Sequence, residues 1–330
     1  MEKPRTQHLR GLALMIGIAA IAFLISELTG FLNAVIWGLV LGIIGGNLFR
    51  VQDSFLPGIR FSEKTILAYA IILMGFPTGW SMHSNAPISI AIIVLIVMAV
   101  TILSGLVIRK VFRLSKEDGL LMGVGNAVCG ASAIAAISGI IKADPKSTGM
   151  SIAVINILGI VGLFVIPPLL ISSQTDVMPS ALLTGGTLQA LGQAVAAGEA
   201  VSPEAGGWAT TIKLFRVSML LPIAFIVALT FGRKSNSGPS LKLIPSFLWL
   251  FILTAIAGYF YHPYEDVKEI LKPIEHGLLA IAMTAIGWQV QFRKLKTEGP
   301  KALLFGTIIF MIEVGAMIAL ITINPLAIEF

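Results

Sequence analysis

Two cations three residues apart, Lys213 and Arg216, lie inside the apolar stretch 207–232, where a helix puts them on one face. Paired positive charge in an apolar setting binds a small anion or a partner carboxylate. Lys213 stands about 9 Å of helix rise from Gly207, so snorkelling to the outer interface is the competing reading. Gln189 and Gln193, four apart in 180–198, also share a helix face and could donate amide hydrogens to an oxyanion or bond neighbouring helices. Glu313, well inside the last apolar stretch, is the candidate carrier of a coupling ion. Glu27, near a helix end, reads as interfacial. Asn156 in 148–171 is expected to face the glycine-rich stretch that precedes it, or else to bond a neighbouring helix.

That glycine-rich stretch, Gly119 to Ile141, organises the chain. It is long and apolar enough to cross a bilayer, yet its middle runs Gly123-Val124-Gly125-Asn126-Ala127-Val128-Cys129-Gly130-Ala131-Ser132-Ala133. Each glycine costs roughly 1 kcal/mol of helix propensity against alanine, and Asn126 and Ser132 offer partners to backbone groups freed by a break. A broken helix inside a membrane exposes peptide dipoles, with half-helix N-termini attracting anions. Gly125, Asn126, Cys129, Gly130 and Ser132 are therefore expected to line a substrate site. Close helix packing through Gly125, Cys129 and Ala133 is the alternative.

Composition decides the class. A chain of 330 residues that is 56% hydrophobic and 12% charged, with mean hydropathy +0.91, is an all-α polytopic membrane protein rather than a soluble one. The formal net charge of +6 sits mostly in short loops, which explains it by topology rather than by nucleic-acid binding. The single cysteine, Cys129, excludes an intrachain disulfide, and the four histidines are scattered without zinc spacing. Nucleophile elbow, Walker loop and dinucleotide fingerprint are all missing, so neither an enzyme nor an ATP-driven pump is expected, and no cofactor or metal.

About eleven spans follow from length and apolarity: 11–29, 32–49, 65–82, 87–111, 118–141, 148–171, 180–198, 207–232, 245–261, 272–291 and 301–323. Gly185, Gly186 and Gly192 mark the seventh as another that could be broken or re-entrant. Loop cations, among them Arg109, Lys110, Arg113 and Lys116, then Arg233, Lys234 and Lys242, then Arg293, Lys294 and Lys296, place the N-terminus in the cytoplasm and the C-terminus outside. The run Leu67 to Phe76 resembles Leu279 to Trp288, and the charges orient the two oppositely, as an inverted repeat requires. The expected organisation is one transmembrane domain, with 1–31 an extra first helix and 32–172 and 180–323 the two halves. Ala282 to Gly287, which includes Thr284, is the expected second broken helix, crossing the first near the membrane midplane.

The run Gly125 to Ala136 (GNAVCGASAIAA), then Ile141-Lys142-Ala143-Asp144 and Ser151 to Asn156, resembles the signature of the YeiH-type sulfate-exporter family of bacterial inner-membrane proteins. Ala209 to Val217 and Ala282 to Gly287 resemble that family's T-x-K-x-x-R-V and A-M-x-A-x-G segments, so the resemblance spans nearly the whole chain. It implies a secondary transporter of sulfate or a related small anion in the inner membrane, with a fold similar to the inverted-repeat sodium and bile-acid transporters. Gln189 and Gln193 stand where the resemblance leads one to expect histidine or glutamate, which speaks against proton coupling on that helix. The expected partners are the lipid bilayer, a small anion, a coupling Na+ or H+ and a second copy in a homodimer. A sodium- or proton-coupled organic-anion carrier and a channel-like membrane protein are the alternatives.

Overall fold

The computed structural model describes residues 4–30, 33–49, 53–81, 88–231, 246–260, 265–289 and 300–323, and these are helical almost throughout. Within the described residues each expected span falls largely on helix. Six helical stretches are long and apolar enough to cross a membrane: His8–Thr29, Ile88–Ile108, Pro145–Ser172, Pro203–Phe231, Ile270–Gln289 and Pro300–Ile323. Shorter apolar helices accompany them, and the chain is a polytopic membrane protein. Of the loop cations, Arg233, Lys234, Lys242, Arg293, Lys294 and Lys296 lie outside the described residues.

The chain forms two compact units, each drawn from two stretches of sequence. One comprises Met1–His83 and Phe247–Lys296; the other comprises Ser84–Ser246 and Thr297–Phe330.

In the first unit, α1 (Pro4–Thr29), α2 (Ala34–Leu48), the short α3 (Leu56–Phe61), α4 (Leu67–Ser81), α13 (Ser246–Phe260) and α14 (Glu265–Gln289) pack together. Asn33 caps α2, its Oδ1 accepting from the Ile36 N–H at 3.0 Å. Glycines set the closest approach. A Cβ on Gly42 of α2 would overlap the Thr284 carbonyl of α14, and one on Gly287 would overlap the Leu39 carbonyl. Backbones meet where side chains are small, which is how apolar helices associate without a hydrophobic drive.

This packing overturns the expected break at Ala282 to Gly287, which lies within the continuous α14. That run contains one glycine, and the glycine serves the α2 contact. The Thr284 hydroxyl donates to the Ala280 carbonyl one turn back at 2.8 Å, so it bridges the helix's own turn instead of a gap. The matching segment Leu67 to Phe76 is also continuous helix, and its Gly75 is a contact with Phe251 and Thr254 of α13.

The second unit holds α5 (Ile88–Ile108), α6 (Lys116–Ala127), α7 (Ala131–Ile141), α8 (Pro145–Ser172), α9 (Val177–Thr187), α10 (Leu191–Val201), α11 (Pro203–Ser218), α12 (Leu220–Phe231) and α15 (Pro300–Ile323). Among its described residues, two spans are interrupted by three non-helical residues each. The first is the expected one, α6 and α7 separated at Val128 to Gly130. The second is the seventh expected span, α9 and α10 separated at Leu188 to Ala190. The expected halves 32–172 and 180–323 therefore each contribute one broken helix to this unit.

Candidate functional site

Gly130 makes the first break possible. Its φ of +68° is open to glycine and strained for residues with a Cβ. The chain leaves α6 with the Val128 N–H donating to the Val124 carbonyl and the Gly130 N–H donating to the Gly125 carbonyl, both at 3.0 Å. It then restarts as α7, with Ile134 N–H donating to the Gly130 carbonyl. A Cβ on Gly130 would stand 3.2 Å from Ile155 Cγ2 and 3.5 Å from Gln189 Cβ, so the two breaks touch here. Gly130→Ala is expected to cost about 1–3 kcal/mol, read as a lowered thermal midpoint of the purified protein in detergent. An unchanged midpoint would mean that the break does not need this conformation.

Two side-chain amides join the broken spans directly. Gln189 Nε2 donates to Asn126 Oδ1 at 2.9 Å, and Asn126 Nδ2 donates to the Met122 carbonyl at 3.0 Å. The expected shared face of Gln189 and Gln193 does not exist, because residues 188–190 are not helical and the 3.6-residue period is lost between them. Gln193 instead sits in the first turn of α10, where its Oε1 accepts from the Ala190 N–H at 3.0 Å. Gly125 is buried against Ile134 and Ile155, with no room for a side chain.

Lys213 and Arg216 occupy the crossing, and both are fully buried. The shared α11 face expected for them is present, and the snorkelling alternative for Lys213 is excluded. Lys213 Nζ donates to one carbonyl from each break, Val128 at 2.7 Å and Leu188 at 2.5 Å. Arg216 donates from Nε to the Ala127 carbonyl at 2.8 Å and from Nη2 to the Asn126 carbonyl at 2.6 Å. Its Nη1 reaches the carbonyls of Gly185 and Leu188 at 3.3 and 3.4 Å. Nη2 also pairs with Glu313 Oε1 on α15 at 2.6 Å, so the acid is not isolated in its span. These carbonyls are the orphan acceptors at the C-terminal ends of α6 and α9. The two side chains thus place positive charge on two negative dipole ends.

Those carbonyls are the part of the site that sequence reasoning missed. Their signal was indirect: two cations in an apolar span need acceptors, and Gly185-Gly186 upstream of Leu188 marked the second place where carbonyls could be freed.

Within the first break Cys129 is half-buried, and in the first turn of α7 Ser132 is exposed. Their Sγ and Oγ lie 3.0 Å apart, and Ser132 Oγ also donates to the Cys129 carbonyl at 3.3 Å. These two are the accessible polar side chains at that helix start. Asn156 does not face the break. It is exposed on α8, and its neighbour Ile155, about 100° around the helix, packs against Gly125 and Gly130 instead. The crossing is built wholly from residues of the second unit, whereas Thr284 belongs to the first.

Residues 10–306 match the family described as conserved hypothetical protein 698. The UPF0324 inner membrane protein YeiH of Escherichia coli (strain K12) is 32% identical over 286 residues, which are 84% of this chain and 82% of that one. A UPF0324 membrane protein of Pseudomonas putida is 29% identical over 298 residues, 88% of this chain and 84% of its own. Another, from Clostridium perfringens, is 29% identical over 329 residues and covers 96% of both chains. No solved structure matches the chain. The resemblance read from Gly125 to Ala136 thus extends over most of the molecule, and the chain belongs to the conserved hypothetical protein 698 family of membrane proteins.

Proposed function

We propose that this protein is a secondary transporter that exports sulfate or a related small anion across the bacterial inner membrane by alternating access. The observation that carries the reading is the charge arrangement at the crossing. Two fully buried cations, Lys213 and Arg216, take up the C-terminal carbonyls of α6 and α9, and Arg216 pairs with one carboxylate, Glu313. Each half-helix end carries roughly half an elementary charge, negative at the C-terminus and positive at the N-terminus. The negative ends of α6 and α9 are occupied by cations, so the positive ends of α7 and α10 remain for a ligand. An excess positive charge in a membrane interior is costly unless an anion answers it.

Ser132 in the first turn of α7 and Cys129 in the break before it are the polar side chains there that are not buried, and the backbone N–H groups of that first turn suit a tetrahedral oxyanion. The relatives' names support the inner-membrane location, and the loop cations support a cytoplasmic N-terminus and an external C-terminus.

The test is ligand-induced thermal stabilisation of the purified protein with sulfate, sulfite, thiosulfate and taurine, each with and without sodium. A ligand at a hundred times its Kd adds about 2.7 kcal/mol. One of these anions is expected to raise the midpoint and to slow alkylation of Cys129. Stabilisation by sodium and organic acids, with no response to the inorganic anions, would replace this reading with a sodium-coupled organic-anion carrier.

A further inference from the structure

Glu313 holds an unfinished set of bonds. Its Oε1 pairs with Arg216 at 2.6 Å. Its Oε2 is buried and has no hydrogen-bond partner among the described residues. A carboxylate oxygen in that state has lost its water and gained nothing in return, whereas a proton placed on it meets no competing donor.

The surroundings leave little else to answer the charge. α15 packs against α5, α6, α8 and α9, and neither α5 nor α9 carries an ionisable side chain. On α6 the charged residues Lys116, Glu117 and Asp118 stand in its first turn, with Asp118 tied into the capping box of Ser115. Asp118 is eight residues from Asn126, about 12 Å of helix rise. On α8 the one charged side chain, Lys146, is likewise in the first turn. Among the described residues, the charged groups at the crossing are therefore Lys213, Arg216 and Glu313, with the Cys129 thiol beside them.

With Lys213 and Arg216 taken as charged on the carbonyls they hold, formal charge depends on one proton. With Glu313 ionised, two cations and one carboxylate leave a single positive charge in excess. With Glu313 protonated on Oε2, the excess is two. We infer that Glu313 couples a proton to the anion, so that the crossing takes a monovalent anion when Glu313 is ionised and a divalent anion together with one proton when it is not. The proton comes from the aqueous phase on the loading side and leaves with the anion on the other. This inference rests on the anion-carrier reading and adds a stoichiometry to it.

The experiment measures apparent Kd for sulfate and for nitrate, both fully ionised throughout, with the purified protein between pH 5 and pH 10. One linked proton makes the sulfate Kd rise about tenfold per pH unit above the titration of Glu313, and the nitrate Kd rise about tenfold per unit below it. Glu313→Gln fixes the neutral form, keeps an acceptor for Arg216 and is expected to bind sulfate with no pH dependence. If that variant does not fold, infrared difference spectra of the wild-type protein on the alkaline side of the Glu313 titration serve instead, with a protonated-carboxyl band expected on adding sulfate and none on adding nitrate. Saturable sulfate binding with a flat pH profile, a slope that survives in Glu313→Gln, or sulfate spectra without the carboxyl band would each overturn the coupling and leave the anion reading standing. Binding of neither anion would remove both.

Discussion

Arg216→Met is expected to be the most damaging single substitution in the second unit, at about 3–5 kcal/mol, the usual cost of removing one partner from a buried ion pair. The side chain is fully buried and bonds four carbonyls, those of Asn126, Ala127, Gly185 and Leu188, besides Glu313. Its loss leaves a buried carboxylate unpaired and returns carbonyls of both breaks to an apolar interior. Lysine should not rescue it, because one ammonium cannot reproduce the guanidinium fork that spans α6, α9 and α15.

The check is the thermal midpoint and monodispersity of the purified variant, alongside Arg216→Met combined with Glu313→Leu. Removing both charges should recover part of the loss, since an apolar pair avoids the stranded carboxylate. Recovery should stay incomplete, because the carbonyls remain without donors. A midpoint equal to wild type in the single variant would show that Arg216 does not hold the crossing together.

Lys213→Gln is expected to have the largest effect on binding. Glutamine keeps amide donors near the Val128 and Leu188 carbonyls but removes the charge in excess of Glu313. At an effective dielectric of about 20, a unit charge about 8 Å from a monovalent anion contributes on the order of 2 kcal/mol, or roughly thirtyfold in apparent affinity. The anion-induced thermal shift should therefore vanish at ligand concentrations that stabilise the wild type, while the unliganded midpoint moves less than in Lys213→Met, which has no donors at all. A variant that is destabilised yet keeps the full anion response would make Lys213 a brace between the broken helices and nothing more.

Residue types and spacing carried much of this site. Lys213 and Arg216 had to share a face because three residues in a helix turn through most of a circle, and their apolar neighbours made them functional candidates. The glycines from 123 to 130 marked the first break, since a helix that lacks side chains has little to resist interruption. Glu313 stood out because a carboxylate in an apolar span is costly.

Other readings failed for reasons local sequence does not carry. The run Ala282 to Gly287 looked like a second break, but a glycine does the same service for a close helix contact, and α2 lies against it. Gln189 and Gln193 had helical spacing, yet the chain unwinds at Leu188 to Ala190 because Lys213 and Arg216 receive the carbonyls that unwinding frees. Asn156 could be placed on α8 but not on a side of it, and the apolar Ile155 took the buried position.

By itself the sequence determined the membrane class, the helical segments, one of the two breaks and the three charged side chains. Those follow from transfer free energies and helix propensities, which act on each residue in its own segment. Only the tertiary structure decided which helix supplied the second break, which carbonyls met the cations and that Glu313 was the partner of Arg216. These are pairings between segments up to 97 residues apart in the chain, chosen because every buried donor and charge must find its answer across the packed unit.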